Sequence, residues 1–257
     1  MRHLRRIGIA ALLSLLAGFG AAPQAGAFQL AARGLYWAPA FTANLRVDKN
    51  SVTGTELRVK DDLGVGDTGF PQVEVLGHFG NHRLSVLYTP VEFSGDARLA
   101  RDIVFHGTAY LAHTQVSSNL RFHMIDAEYG YDLIRAENVL AGVSLALLAR
   151  VKYIDGEAKL RAAYAAQRAT FQVPVPMIGA GLHIGILANL LEVSGKAAGI
   201  AYGGNALYEA AGEIALTPLP FVGIHGGYRL IHLDVDEQNV RLKTDLTGPY
   251  LAVSIGF

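Results

Sequence analysis

The sequence offers a handful of side chains whose types and spacing match known chemistry. His232, Asp234 and Asp236 share one parity near the end of a strand-like run, which puts an imidazole and two carboxylates on one face. That is the best acid/base grouping in the chain. Asp61, Asp62 and Asp67 supply hard oxygen ligands, but they lack the spacing and the bidentate closing acid of a calcium loop. Gly64-Val65-Gly66-Asp67-Thr68-Gly69 matches G-x-G-x-x-G, yet it follows the charged Lys60-Asp61-Asp62 and opens no helix. A dinucleotide site needs a buried strand before the glycines and a helix after them, so a plain loop is the expectation. His78 and His82 stand four apart across Gly80-Asn81 with no carboxylate beside them, a poor zinc site. Ser144 and Ser254 are nucleophile types without an evident partner. These readings leave no metal, no cofactor and no catalytic residue, and the expectation is a non-enzymatic chain.

A larger set of charges falls into register along alternating segments. Val222 to Leu230, Tyr208 to Leu216 and Val143 to Tyr153 each alternate an apolar parity with a small or polar one. Runs of this kind, ten residues or so long, fit a transmembrane β-strand with lipid outside and lumen inside; soluble strands are usually about half that length. By this parity the lumen receives Glu74, Arg121, Arg150, Lys152, His183, Glu192, Lys196, Glu209, Glu213, His225 and Arg229. Glu209 and Glu213 lie on the strand next to His225 and Arg229, so charge pairing across strands is expected. Asn119, Arg121 and His123 share a parity opposite to Asp126 and Glu128, which predicts a bulge near Met124.

The elements that position these residues read as ten strands. They run Leu30 to Val47, Gly69 to Phe79, His82 to Leu99, His106 to Tyr131, Asn138 to Tyr153, Ala166 to Leu187, Leu190 to Tyr202, Ala206 to Thr217, Pro220 to Val235 and Val240 to Phe257. Short connections alternate with mostly longer ones, as in a barrel with both ends in the periplasm. Eight strands is the alternative, because Leu190 to Tyr202 is rich in Gly and Ala. Pro174 and Pro176 predict an irregular start or a bulge in the sixth strand.

Composition narrows the classes further. The chain has 257 residues, 51% hydrophobic and 17% charged, with 22 Lys+Arg, 22 Asp+Glu and no cysteine. Disorder, thiol chemistry and a nucleic-acid footprint are excluded. Met1 to Ala27 has a cationic start, an apolar run and small residues at Ala25 and Ala27, the layout of a secretory signal cleaved before Phe28. Loss of Arg2, Arg5 and Arg6 leaves 19 Lys+Arg against 22 Asp+Glu in one domain, 28–257. Past residue 28 no apolar run is long enough for a membrane helix.

The run from Tyr250 ends the chain on the aromatic Phe257, with Leu251, Val253, Ile255 and Phe257 on one apolar parity. Here the sequence resembles the outer-membrane β-barrel proteins of Gram-negative bacteria, close to the small OmpA-transmembrane and OmpW-like barrels. The resemblance implies an all-β, antiparallel up-and-down transmembrane barrel in the outer membrane. It implies outer-membrane lipid, lipopolysaccharide and, through the last strand, the assembly machinery as partners of a monomer. The expected function is envelope-structural, or passage of small solutes through a restricted lumen; a charged plug is favoured over an open pore, since ten strands leave little open width. The alternatives are a binding protein acting through Asp48 to Thr68 and a rim hydrolase using His232 and Asp234. The latter resembles the ten-stranded omptin proteases in its His and Asp at the rim, without their motifs.

Overall fold

The computed structural model describes residues 29–49, 51–137, 141–187, 190–219, 221–237 and 239–256. The expected signal segment 1–27 and Phe257 lie outside them. The wall is built from β1 (Gln29–Trp37), β2 (Ala40–Val47), β4 (Phe70–Phe79), β5 (His82–Arg98), β8 (Gln115–Glu137), β9 (Ala141–Ala162), β10 (Ala166–Ile186), β11 (Leu191–Tyr202), β12 (Asn205–Leu219), β13 (Val222–Glu237) and β14 (Val240–Gly256). Neighbours along the chain pair antiparallel, and β1 closes the ring on β14. β1 and β2 form one wall strand broken at Ala38-Pro39, because both pair with β14 in a single register, Trp37 opposite Tyr250 and Ala40 opposite Thr247. The wall therefore has ten strands, closed and antiparallel. Pro39 has no N–H to give the ladder, and the chain passes so near Gly248 that a Cβ there would stand 2.3 Å from the Ala38 carbonyl oxygen.

Two expected bulges are absent from the described residues. β8 pairs with β9 in one register from Val116 to Asp132, and its irregularity falls at Asp132/Ile134, not at Met124. β10 runs unbroken along β9 through Pro174 and Pro176. Its pairing with β11 begins only at Ile178, so the prolines sit where β10 has one free edge and no donor is missed. The segment from His106 to His113 belongs to no wall strand. It carries part of a small hairpin, β6 (Ile103–Phe105) and β7 (Thr108–Tyr110), folded over the barrel end.

The polarity of the two faces accounts for the parity change along β8 without a bulge. Low on the wall, Leu84, Val86, Leu145, Leu147, Val151, Ile214, Ile224, Leu251, Val253 and Ile255 are exposed outward, a belt matched to hydrocarbon. Tyr36, Tyr88, Tyr153, Tyr208 and Tyr228 face outward at its upper margin. Above that margin the pattern inverts with no change of register. On β9, Asp155, Glu157, Lys159 and Arg161 point out, while Ile154, Ala158 and Leu160 point in and are buried. On β8, Arg121 and His123 point out and Phe122 and Met124 point in. Ile154 to Ala162 extends about 30 Å of strand beyond the membrane margin at ~3.3 Å per residue, where the outside is water and the inside must be dry.

That upper interior is a packed apolar core. Phe41 stacks on Phe93 at 4.0 Å between ring centroids, and Phe93 meets Phe70 edge-on at 5.2 Å. Val91, Phe122, Met124, Leu160, Met177, Leu207, Ile231 and Leu246 complete it. The short strand β4 stops at Phe70, which leaves a gap in the wall between β2 and β5. Residues 51–69 fill it: β3 (Leu57–Arg58) pairs with β2, helix α1 (Val59–Leu63) follows, and Val65 bridges to Gly95 on β5. Leu57, Val59, Leu63 and Val65 are buried in the core. The glycine-rich motif is this seam, not a nucleotide loop. Gly64 caps α1 at φ +67°, and a Cβ on it would lie 2.6 Å from the Asp96 carbonyl oxygen.

Asp67 latches the segment to the wall by accepting from Lys60 Nζ and from the Phe41 N–H, both at 2.8 Å. The Lys60 contact first, and the Phe41 amide second, hold its carboxyl below the usual carboxylate range. Because the folded value is depressed, the contact's contribution is present above the ordinary carboxylate range and is lost as pH falls through the lowered value. Hydrogen exchange of the Phe41 amide is expected to accelerate on that acid side. Gly64→Val is expected to free the segment, both through strain at positive φ and through the clash with β5. Trypsin then cuts near Arg58 and Lys60 at least severalfold faster than in the parent, while the barrel still migrates as a folded band in unboiled SDS.

Candidate functional site

Below the apolar core the inward parity turns polar. Glu209 on β12 is met by Arg229 from β13 at 2.7 Å, and by Arg150 and Lys152 from β9 at 3.0 and 3.1 Å. Asp126 on β8 pairs with the same Lys152 and lies 3.4 Å from Arg229. Glu128 pairs with Arg150 and takes Lys196 of β11 at 3.0 Å. Lys152 is fully buried, and Asp126, Arg150, Glu209 and Arg229 are nearly so. Removing charges from water is costly, so such a layer persists only because each of its ions except the partly exposed Lys196 has at least two partners of opposite sign. Trp37 forms the floor of the apolar core above it. Its indole N–H donates to the Gly248 carbonyl at 3.2 Å, and the Arg229 guanidinium lies 5.1 Å from its ring centre.

A second cluster sits lower, toward the end carrying Gln29 and Gly256. Arg33 of β1 joins Glu74 of β4, at 3.4 Å, to Glu213 of β12. Glu213 also accepts from Tyr250 Oη at 2.7 Å and contacts His225 Nδ1 at 2.9 Å. The other ring nitrogen of His225 lies 2.8 Å from Ser254 Oγ. His183 and Glu192 stand 3.9 Å apart nearer the mouth. Around them opens a cavity of about 740 Å³, bounded at the terminal end by Gln29, Phe221 and Gly256. Within the ion layer itself the free space is about 60 Å³.

Of the residues assigned to the lumen from sequence, Glu74, Arg150, Lys152, His183, Glu192, Lys196, Glu209, Glu213, His225 and Arg229 face inward. Arg121 is the correction. It points outward, half exposed, and pairs with Glu92 on β5, because it lies above the membrane margin where the outer face is wet. Of the terminal signal residues, Leu251, Val253 and Ile255 face outward, whereas Tyr250 is buried inside. Arg33, Ser254 and Tyr250 also face inward although sequence parity does not place them there, and Asp126 and Glu128 do so without the bulge expected to re-aim them. Ser254 is recognisable only from register, two places along β14 from Ala252, which faces His225.

The rim grouping is divided among separate pairs. His232, Asp234 and Asp236 lie on the outer face, where His232 stacks on Tyr208 at 4.5 Å and bonds Asp245. Asp234 pairs with Lys243 and Asp236 with Arg241. Asp61 pairs with Arg58, Asp62 with Arg101 and Asp67 with Lys60, so they do not converge. No cluster of three or more His, Cys, Asp or Glu able to hold a metal occurs among the described residues.

A closed ten-stranded antiparallel barrel with a lipid-matched belt is the fold of bacterial outer-membrane β-barrels. The fold is similar to that of the outer membrane protease OmpT of Escherichia coli, with a TM-score of 0.54 and 8% identity over 91% of this chain and 99% of that one. The attachment invasion locus protein Ail of Yersinia pestis also matches, at TM-score 0.35 and 13% identity over 90% and 99% of the two chains. The toluene transporter TodX of P. putida matches at 0.30 and 9% over 91% and 90%. At these identities the likeness is one of fold alone. No family model and no curated protein matches the chain.

Replacing Glu209 by Ala leaves Arg150, Lys152 and Arg229 facing one another. A loss of about 3–5 kcal/mol is expected for removing one partner of a buried ion cluster, read as a lower urea midpoint for the refolded barrel. Arg121→Ala removes only an exposed pair and is expected to change stability by less than about 1 kcal/mol.

Proposed function

We propose that this chain is a sealed structural barrel of the outer membrane, of the small OmpA-transmembrane and OmpW-like kind, and not a solute pore. The observation that carries this is the double closure of the lumen, an apolar core above and a compact ion-pair layer below. Solutes would have to displace packed aromatic rings and break Glu209 from three cations, a barrier of many kcal/mol given the energies of core packing and buried ion pairs. Export through residues 1–27, insertion through the last strand and a monomeric state belong to the same reading.

The binding alternative loses its best feature, because residues 57–65 are wall and core instead of a projecting loop. The outer wall supports lipopolysaccharide as the partner. Just above the tyrosine margin it displays Glu92 with Arg121, and Glu157 with Lys159 and Arg168. Such mixed charge at headgroup height suits a surface of phosphates and bridging cations. The rim grouping, with each acid matched to a cation, supports no hydrolase at that position.

Refolded barrel in planar bilayers is expected to give no steady conductance steps at voltages that leave the membrane intact. A reproducible open level from the wild-type chain would overturn the sealed reading.

A further inference from the structure

The lower cavity contains an arrangement that the sealed barrel does not require. Glu213, His225 and Ser254 form a linear relay across β12, β13 and β14, with 2.9 Å from the carboxylate to Nδ1 and 2.8 Å from Nε2 to Oγ. A carboxylate can only accept, so in the neutral imidazole the proton resides on Nδ1 and Nε2 is left to accept the serine hydroxyl. This is the tautomer in which an imidazole acts as a general base toward a serine. Glu213 is itself fixed from two further sides, by Arg33 and by the Tyr250 hydroxyl. His225 and Glu213 are mostly buried, whereas Ser254 is partly exposed, and all three border the 740 Å³ cavity.

The backbone makes room for the pair. Gly223 lies directly opposite Ser254 in the β13–β14 register. A Cβ at Gly223 would stand 2.6 Å from Ser254 Oγ and 2.8 Å from His225 Nε2, and nothing but these two side chains comes nearer than 3.4 Å of it. A side chain there would occupy the place of the hydrogen bond.

We propose that Ser254 is a nucleophile and His225 its general base in a periplasm-facing esterase site, with Glu213 as the positioning residue. The substrate class is a short carboxylic ester small enough for the cavity, whose walls combine Leu76 and Leu148 with Ser144, Ser194 and His183. Ser254 Oγ bonds to the acyl carbon as its proton passes to His225 Nε2. The ester C–O bond then breaks and the departing alkoxide takes that proton, leaving an acyl-serine and an alcohol. A water from the open mouth gives its proton to His225 and its oxygen to the acyl carbon. The acid leaves and Ser254 regains its proton, so ester and water become acid and alcohol. The proposal reverses the expectation that Ser254 lacks a partner, and it stands whether or not the barrel conducts.

The test uses the folded full-length mature barrel, a fluorophosphonate probe and p-nitrophenyl butyrate. The probe is expected to add to Ser254, located by peptide mass, and Ser254→Ala abolishes both the adduct and ester turnover. His225→Ala lowers the labelling rate at least about a hundredfold, the usual scale for loss of a general base. Gly223→Ala does the same while keeping the folded band on an unboiled gel, which separates loss of the relay from loss of the fold. Glu213→Gln lowers kcat with little change in KM, whereas a merely structural acid leaves kcat per folded barrel unchanged. An unlabelled Ser254 in the folded wild type, or equal ester turnover in Ser254→Ala, would overturn the assignment.

Discussion

Each long strand of the wall passes from hydrocarbon into water on its outer side, and its inner side has to answer that change. Within the membrane the outer face must be greasy, so the ionisable groups of β8, β9, β12 and β13 can only turn inward and find one another. Above Tyr88 and Tyr153 the outer face is wetted, and the same strands hold their apolar side chains inward around Phe41, Phe93 and Met124. One backbone register serves both regimes. The ion layer, the apolar core and the charged outer wall all follow from where the membrane stops.

The two inner layers depend on each other at Trp37. An apolar ring on one side and the Arg229 guanidinium on the other let the indole join phases that would otherwise need water between them. Segment 51–69 has the corresponding role in the wall. With β4 short, the core would have an open side between β2 and β5, and α1 with its flanking turns closes it with Leu57, Val59, Leu63 and Val65. The glycines of that segment answer a steric demand, the close passage of one backbone over another.

Much of this was legible in the residues. The ten-strand reading and ten of the inward polar side chains follow largely from dyad alternation, because within the membrane the apolar parity has to face lipid. What was not legible has a common cause. Arg121 and the rim residues His232, Asp234 and Asp236 are polar on a parity that is outward, and alternation reports only that two faces differ, not which one is wet. The continuation of β9 past Tyr153 was hidden likewise, because charged residues in a strand above the membrane look like a loop. Ser254 and His225 come together through the pairing of β13 with β14, a long-range register that no local spacing encodes.

The ring closes between the chain's first wall strand and its last, and Phe41 and Leu246, on the two partners of that seam, are both in the core. Parting β1 and β2 from β14 would thus strip hydrogen bonds and expose aromatic surface in one event, with no cheap partial opening along the way. Persistence of such a barrel is a matter of its slow rate of opening more than of equilibrium depth. A chain cut or permuted within that seam would lose lifetime before it lost shape.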